Sequence, residues 1–161
     1  MYNLDVLGND NFFVGEKSWL VHNSNSNSLV TFYTVQTEAD AMRLRSGGSP
    51  WPTGMSRANM GSGLYAWGTP QEAAQYAARL QAKGVSVETI RLQMTTKAFG
   101  KLNGVDLTRM SDAQVNAWMQ KYSLYGEGSL HGKDYVVRAT GMGKEHYFSP
   151  EAYKKMWIGC P

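Results

Sequence analysis

A mixed α+β domain is predicted. Short β-branched and aromatic runs outnumber helical patterns, the helical patterns fall between those runs, and glycine clusters separate the two kinds. With 161 residues the chain has room for one domain and a short appendage, and 42% apolar content is enough for a packed core and excludes global disorder. No apolar run approaches the about eighteen residues that a membrane-spanning helix needs. The single cysteine, Cys160, excludes an intrachain disulfide and a cysteine-based zinc site, so no metal is expected and the fold must stand on packing. A net charge of +3 suits a diphosphate-bearing ligand and falls short of a nucleic-acid-binding signature.

In chain order, apolar and polar positions alternate over residues 1–22, with turns expected at Gly8-Asn9-Asp10 and Gly15-Glu16-Lys17. The tract Asn23-Ser24-Asn25-Ser26-Asn27-Ser28 has nothing to bury and reads as a linker over 23–28, so the main domain is set at 29–161. Leu29 to Val35 is a strand by composition. Thr37 caps a short helix with Asp40 at its third position, and Gly47-Gly48 ends it. Residues 49–60 carry two prolines and read as a loop, and Gly63 to Trp67 as a brief strand.

The clearest helix comes next. Thr69 is its cap, Pro70 its first residue and Glu72 the acid of a capping box; Ala73, Ala77 and Leu80 form the apolar face, and Gly84 closes it. Val85 to Met94 is a strand. Ser111 with Gln114 opens a helix that presents Val115, Trp118, Met119 and Tyr122. Asp134 to Ala139 is a further strand, and an amphipathic segment runs near Ala152 to Met156.

Residues 2–23, with Phe12-Phe13-Val14-Gly15-Glu16 and the closing Leu20-Val21-His22-Asn23, resemble the end of the self-cleaving Hint (intein-like) module of bacterial polymorphic toxins of the Rhs kind. The likeness implies that 1–22 is an inert remnant of that module, without its nucleophile. It also implies that the remainder of the chain is an effector domain with a parent delivery protein and a cognate immunity protein as partners. No leader pattern opens the chain, so a secreted protein would travel as part of a larger effector and act in the target-cell cytoplasm of a recipient bacterium.

The segment from Gly61 to Ala77 joins a glycine turn, an aromatic strand and a capped helix, an arrangement able to offer a flat ring and backbone groups to a ligand. It resembles the second motif of ADP-ribosyltransferases of the His-Tyr-Glu type, the diphtheria-toxin and poly-ADP-ribose-polymerase branch. By that resemblance Gly63 and Tyr65 face the nicotinamide ring of NAD, and Tyr76 supplies a second ring. The first motif of the family corresponds to Thr31-Phe32-Tyr33-Thr34. Phe32 or Tyr33 stands where the family has a histidine; a tyrosine hydroxyl keeps the ribose hydrogen bond and a phenylalanine does not. Thr34 is a further contact.

The third motif is matched by Gly128-Ser129-Leu130-His131-Gly132-Lys133-Asp134-Tyr135-Val136-Val137, with Asp134 in the place of the catalytic glutamate. An acid there stabilises the oxocarbenium-like state formed as nicotinamide leaves. Glu127, and after it Glu145, are the acids near enough in sequence to substitute. Arg43 and Arg57, with Arg45, are candidates for the diphosphate. Trp51 lies in a loop where it would pack over the cofactor or meet the target.

The likeness runs from about residue 29 to 139 in the family's order. It implies a split-sheet ADP-ribosyltransferase-like core with short flanking helices, and mono-ADP-ribosyl transfer from NAD to a macromolecular target without a membrane partner. Two alternatives stay open: a nuclease using His131 and His146 with Lys144 or Glu145, and a non-enzymatic binding module displaying Trp51, Trp67 and Trp118.

Overall fold

The computed structural model describes residues 28–49, 60–122 and 132–159, together with the backbone of 11–14 and 19–22. Glu127, Arg57, His131, Trp51 and the Tyr122 side chain lie outside the described residues. Two short strands, β1 (Asn11–Val14) and β2 (Trp19–His22), pair antiparallel from Asn11↔His22 to Val14↔Trp19 in a two-stranded sheet of their own. Ser28, the last residue of the predicted linker, is already fastened to the main domain. Its carbonyl accepts the Thr96 N–H at 2.8 Å, and its hydroxyl meets that of Thr96 at 2.8 Å.

The main domain runs β3 (Leu29–Thr37), α1 (Glu38–Arg45), β4 (Leu64–Trp67), α2 (Pro70–Gln81), β5 (Val87–Thr95), α3 (Thr96–Phe99), β6 (Gly104–Asp106), α4 (Asp112–Tyr122), β7 (Tyr135–Thr140), β8 (Gly143–Phe148), α5 (Pro150–Tyr153) and β9 (Trp157–Ile158). The mixed α+β architecture expected from the sequence is what is seen: seven strands in the order β6-β7-β8-β4-β3-β5-β9, with helices on the flanks. Only β6 and β7 are parallel; every other neighbouring pair is antiparallel.

Local chemistry starts the helices where the sequence placed them. Thr37 accepts the Asp40 N–H, and Thr69 and Glu72 close a capping box around the first turn of α2. Ser111 and Gln114 bond each other reciprocally ahead of α4. None of the described helices is long and apolar enough to cross a bilayer. Four elements were not anticipated: α3, β6, β8 and β9.

Alternation along the strands builds one core on each side of the sheet. On one side Phe32, Leu64, Ala66, Ile90, Leu92 and Phe148 pack with Ala41 and Leu44 of α1 and Ala152 of α5. On the other, Val136 and Tyr147 pack with Met60, Leu107 and Val115, and Tyr65, Trp118 and Met119 join at the margin.

The join in the middle of the sheet is narrow. All of β3 is in register with β5, from Leu29↔Thr95 to Thr37↔Val87, and all of β4 with β8, from Leu64↔Phe148 to Trp67↔Glu145. Between β3 and β4 the single registered pair is Tyr33↔Trp67. Two ladders, β6-β7-β8-β4 and β3-β5-β9, therefore meet at one rung.

Gly63, just ahead of β4, makes a close approach to β8. A Cβ there would collide with the Phe148 carbonyl oxygen and lie 2.5 Å from Tyr147 Cε2. Gly63→Ala is expected to destabilise the fold by about 1–3 kcal/mol, as overpacking against backbone does. Urea unfolding would show it as a lowered midpoint at an unchanged slope; an unshifted midpoint would refute the close approach.

Candidate active site

Below the Tyr33↔Trp67 rung a side chain takes over from the ladder. Thr34, fully buried, donates its hydroxyl to the Tyr65 carbonyl at 2.8 Å, and the same hydroxyl accepts from Gln36 Nε2 at 2.6 Å. One threonine thus ties the two ladders together at the point where β3 and β4 cease to pair.

The loop ahead of β4 is held by two tyrosines. The Tyr65 hydroxyl accepts the Met60 N–H at 2.9 Å and donates to the Gly61 carbonyl at 3.0 Å. The Tyr147 hydroxyl donates to the Ser62 carbonyl at 2.8 Å. Their rings meet edge-on at 5.5 Å. Gly61 turns with φ +88°, where a side chain would be strained. Burial pushes both phenols up, Tyr147 to about 12; for Tyr65 the Met60 N–H pulls the other way without reversing the rise. Both rings stay neutral and act as rigid walls.

Asp134 stands just ahead of β7. Its Oδ2 accepts the Asn103 N–H at 3.0 Å, and its Oδ1 lies 3.4 Å from the Ser149 hydroxyl, which also caps α5. The backbones of Asp134 and Ser149 bond at 2.9 Å, one step beyond the Tyr135↔Phe148 and Leu64↔Phe148 pairs. Asp134 and Gly63 therefore flank Ser149, the residue just past β8, about 10 Å apart across two strand spacings. Thr34, Gly63 and Tyr65, from two sequence motifs, lie at the split, and Asp134, from a third, lies toward the same end of the sheet two strands away.

The other expected contacts are placed differently. Phe32 is core: its ring lies 4.8 Å from Phe148, 5.0 Å from His146 and 5.7 Å from Phe99. Tyr33 is half-buried between Arg91 and Trp67. Tyr76 reaches back from α2 to within 5.4 Å of Trp67. Arg43 is engaged within its own turn, with Asp40 at 2.8 Å and the Ser49 carbonyl at 3.3 Å.

Two further clusters surround the split. On β7 and β8, Arg138 sets Nε and Nη2 on the same oxygen of Glu145, at 2.6 and 2.5 Å, and both side chains are largely buried. His146, the next residue along, points to the opposite face by alternation and accepts or donates at Nδ1 with the Tyr135 hydroxyl at 2.7 Å. Burial pushes His146 down to about 4; Lys144 adds to this, and Glu72 and Asp106 oppose it. Burial likewise pushes the Tyr135 phenol up. Tyr135 is thus the donor, and His146 a neutral acceptor. Of the residues named for the nuclease alternative, β8 sends Glu145 to the face opposite His146 and Lys144 to the same face, and His131 lies outside the described residues. No sequence signal marked β8: its mixture of Lys144, Glu145 and His146 lacks the apolar alternation of a strand. Gln36, Tyr147 and the Tyr135–His146 pair went unnoticed with it.

No family model matches the chain, and no curated protein does. Among solved structures it is similar to the Mycobacterium tuberculosis MbcT–MbcA toxin–antitoxin complex, with 13% identity over 83% of each chain and a TM-score of 0.46. That neighbour is a toxin in complex with its antitoxin. It overturns the expectation of a secreted effector that acts in a recipient cell, and that placement is withdrawn.

The histidine generates a pH prediction. The unfolded chain protonates His146 near its ordinary value of 6.5, and the folded chain only near 4. Between those values the unfolded state binds more protons, so stability is full above pH 6.5 and falls as the pH drops towards 4. The loss is about 3 kcal/mol. Equilibrium unfolding of the native protein and of His146→Gln from pH 7 to 4 checks it: the native curve should fall more steeply by that amount, and parallel curves would refute the assignment.

Proposed function

We propose that the chain is a toxin-class enzyme that breaks the bond between nicotinamide and ribose in NAD and passes ADP-ribose to a macromolecular acceptor. The observation that supports this reading is that the glycine turn, the walled tyrosine and the fixed carboxylate, which the sequence resemblance assigns to one reaction, lie toward one end of the sheet, with the carboxylate two strands from the opening. The likeness of residues 2–23 to a self-processing module supports a cognate neutralising protein as a partner.

In this reading Tyr65 offers its ring to the nicotinamide, while its hydroxyl keeps the 60–62 backbone in place. As the glycosidic bond breaks, its electron pair leaves with nicotinamide and positive charge collects on the ribose. Asp134, turned by Asn103 and Ser149, places negative charge beside that sugar. The acceptor's nucleophilic atom then attacks the anomeric carbon and loses its proton. Tyr33 and Tyr76 complete the aromatic surround of Trp67.

Release of nicotinamide and transfer of label from NAD test the proposal. Asp134→Asn is expected to slow both by at least about a hundredfold. Tyr65→Phe keeps the ring and loses the two backbone bonds, so it should retain most turnover while costing about 1–2 kcal/mol of stability. Tyr65→Ala should lose both turnover and stability. Glu145→Gln, assayed where it remains folded, is the control: an inactive Glu145→Gln beside an active Asp134→Asn would remove Asp134 from the chemistry.

A further inference from the structure

We infer that Asn103 is a positioning residue for the reaction: its side chain holds the turn that carries Asp134, and so sets where the carboxylate stands. The inference rests on the dinucleotide reading above, in which Asp134 answers the charge on the ribose, and it adds a side chain that no sequence motif included.

Residues 132, 133 and 134 are all fastened to this one asparagine. Its Nδ2 donates to the Gly132 carbonyl at 2.9 Å, and its Oδ1 accepts from Lys133 Nζ at 3.1 Å. Its backbone N–H donates to Asp134 Oδ2 at 3.0 Å, and its carbonyl accepts the Asp134 N–H at 2.9 Å. The orientation of the amide is fixed by its partners. The Gly132 carbonyl can only accept and the Lys133 ammonium can only donate, so nitrogen and oxygen each have one place. With both ends engaged, the side chain grips the two residues next to the carboxylate. Gly132 itself turns with φ +76°, and the chain passes from that turn into β7.

The need for such a fastening comes from where Asp134 sits. β6 meets β7 only from Gly104↔Tyr135 to Asp106↔Val137, and β6 is the outermost strand of the described sheet. Asp134 and Asn103 each lie one residue before the first of those rungs, where a ladder frays. The Asn103 side chain carries the pairing past the point at which the ladder stops. Its bonds to Gly132 and Lys133 hold the chain on the far side of Asp134, and the Gly104↔Tyr135 rung holds it on the near side. These side-chain bonds lie at exposed positions, so water replaces them at little cost to the fold. Their loss is felt in the placement of the carboxylate, where a displacement of about 1 Å costs roughly a hundredfold in rate.

The test is nicotinamide release from NAD by the full chain, read as kcat and KM in a double-mutant cycle of Asn103→Ala with Asp134→Asn. Asn103→Ala alone should lower kcat by about tenfold or more, leave KM within about twofold and barely move the urea midpoint. In the Asp134→Asn background the same change should cost less than about twofold, because the group it positions is gone. Asn103→Asp has the same shape and keeps the Lys133 bond but loses the donor to Gly132. It serves where the alanine variant does not fold, with the same split and the same non-additivity expected. Unchanged kcat in a folded Asn103 variant, beside a slow Asp134→Asn, overturns the inference and leaves the dinucleotide reading intact. Equal losses with and without the Asp134 carboxylate also overturn it, because Asn103 would then act on the fold at large. A fully active Asp134→Asn, or a parent that releases no nicotinamide, defeats the reading on which the inference rests, and the inference falls with it.

Discussion

Between β3 and β4 a buried threonine hydroxyl does what backbone amides do elsewhere in the sheet. Two neighbouring strands normally share a rung at each step; here they share Tyr33↔Trp67 and then part. An unfilled gap at that point would leave the Tyr65 carbonyl without a donor, at a cost comparable to a lost hydrogen bond. Thr34 supplies the donor from a side chain, which reaches farther than an N–H and lets the strands stand apart. The opening and the strength of the sheet across it come from one residue, and Gln36 is oriented as a consequence.

Around that opening rigidity comes from phenols and glycines. Tyr65 and Tyr147 both send hydroxyls to the backbone of 60–62, and Gly61 and Gly63 allow the chain to turn and to approach β8 closely. Neutral phenols suit this role, because ionising either would put a charge in a mostly apolar cluster against a carbonyl oxygen, which burial forbids. The arrangement fixes the ring of Tyr65 with respect to the strand. An aromatic surface that is held on both its hydroxyl and its edge loses little entropy when a flat ligand comes to it.

How much could be read from the sequence depended on how local the cause was. Thr37, Thr69 with Glu72, and Ser111 with Gln114 announce helix starts, because a cap acts over three residues and needs nothing else. The strand at 29–37 was visible from its β-branched content and was only underestimated in length. β8 was invisible because its burial is supplied from outside. Glu145 is admitted by Arg138, and His146 by Tyr135 and by remaining neutral. Each of those partners is on a different strand, so no window along the chain contains the reason. The candidate residues divide in the same way: Gly63, Tyr65 and Asp134 stand in sequence motifs, whereas Phe32 belongs to the core and the Thr34–Gln36 relay appears only once β4 is set beside β3.

In the proposed reading Asp134 stands where the resembled family has a glutamate, and that difference calls for a physical account. A shorter acid stands back from its substrate by one methylene, and misplacement by about 1 Å is costly for chemistry. In that reading the backbone around Asp134 offers a compensation. Asp134 lies before β7 begins, where its N–H bonds the Asn103 carbonyl and its carboxylate takes the Asn103 N–H in return. That reciprocal pair fixes both the height of the residue and the direction of its side chain against a neighbouring segment, which a long flexible glutamate would not achieve with the same contacts. A carboxylate set by its backbone needs less reach, because its position is decided before the ligand arrives. Glu145, longer and also on the strand pair, shows the converse: its extra length is used up in meeting Arg138, and the ion pair holds it in the sheet rather than at the opening.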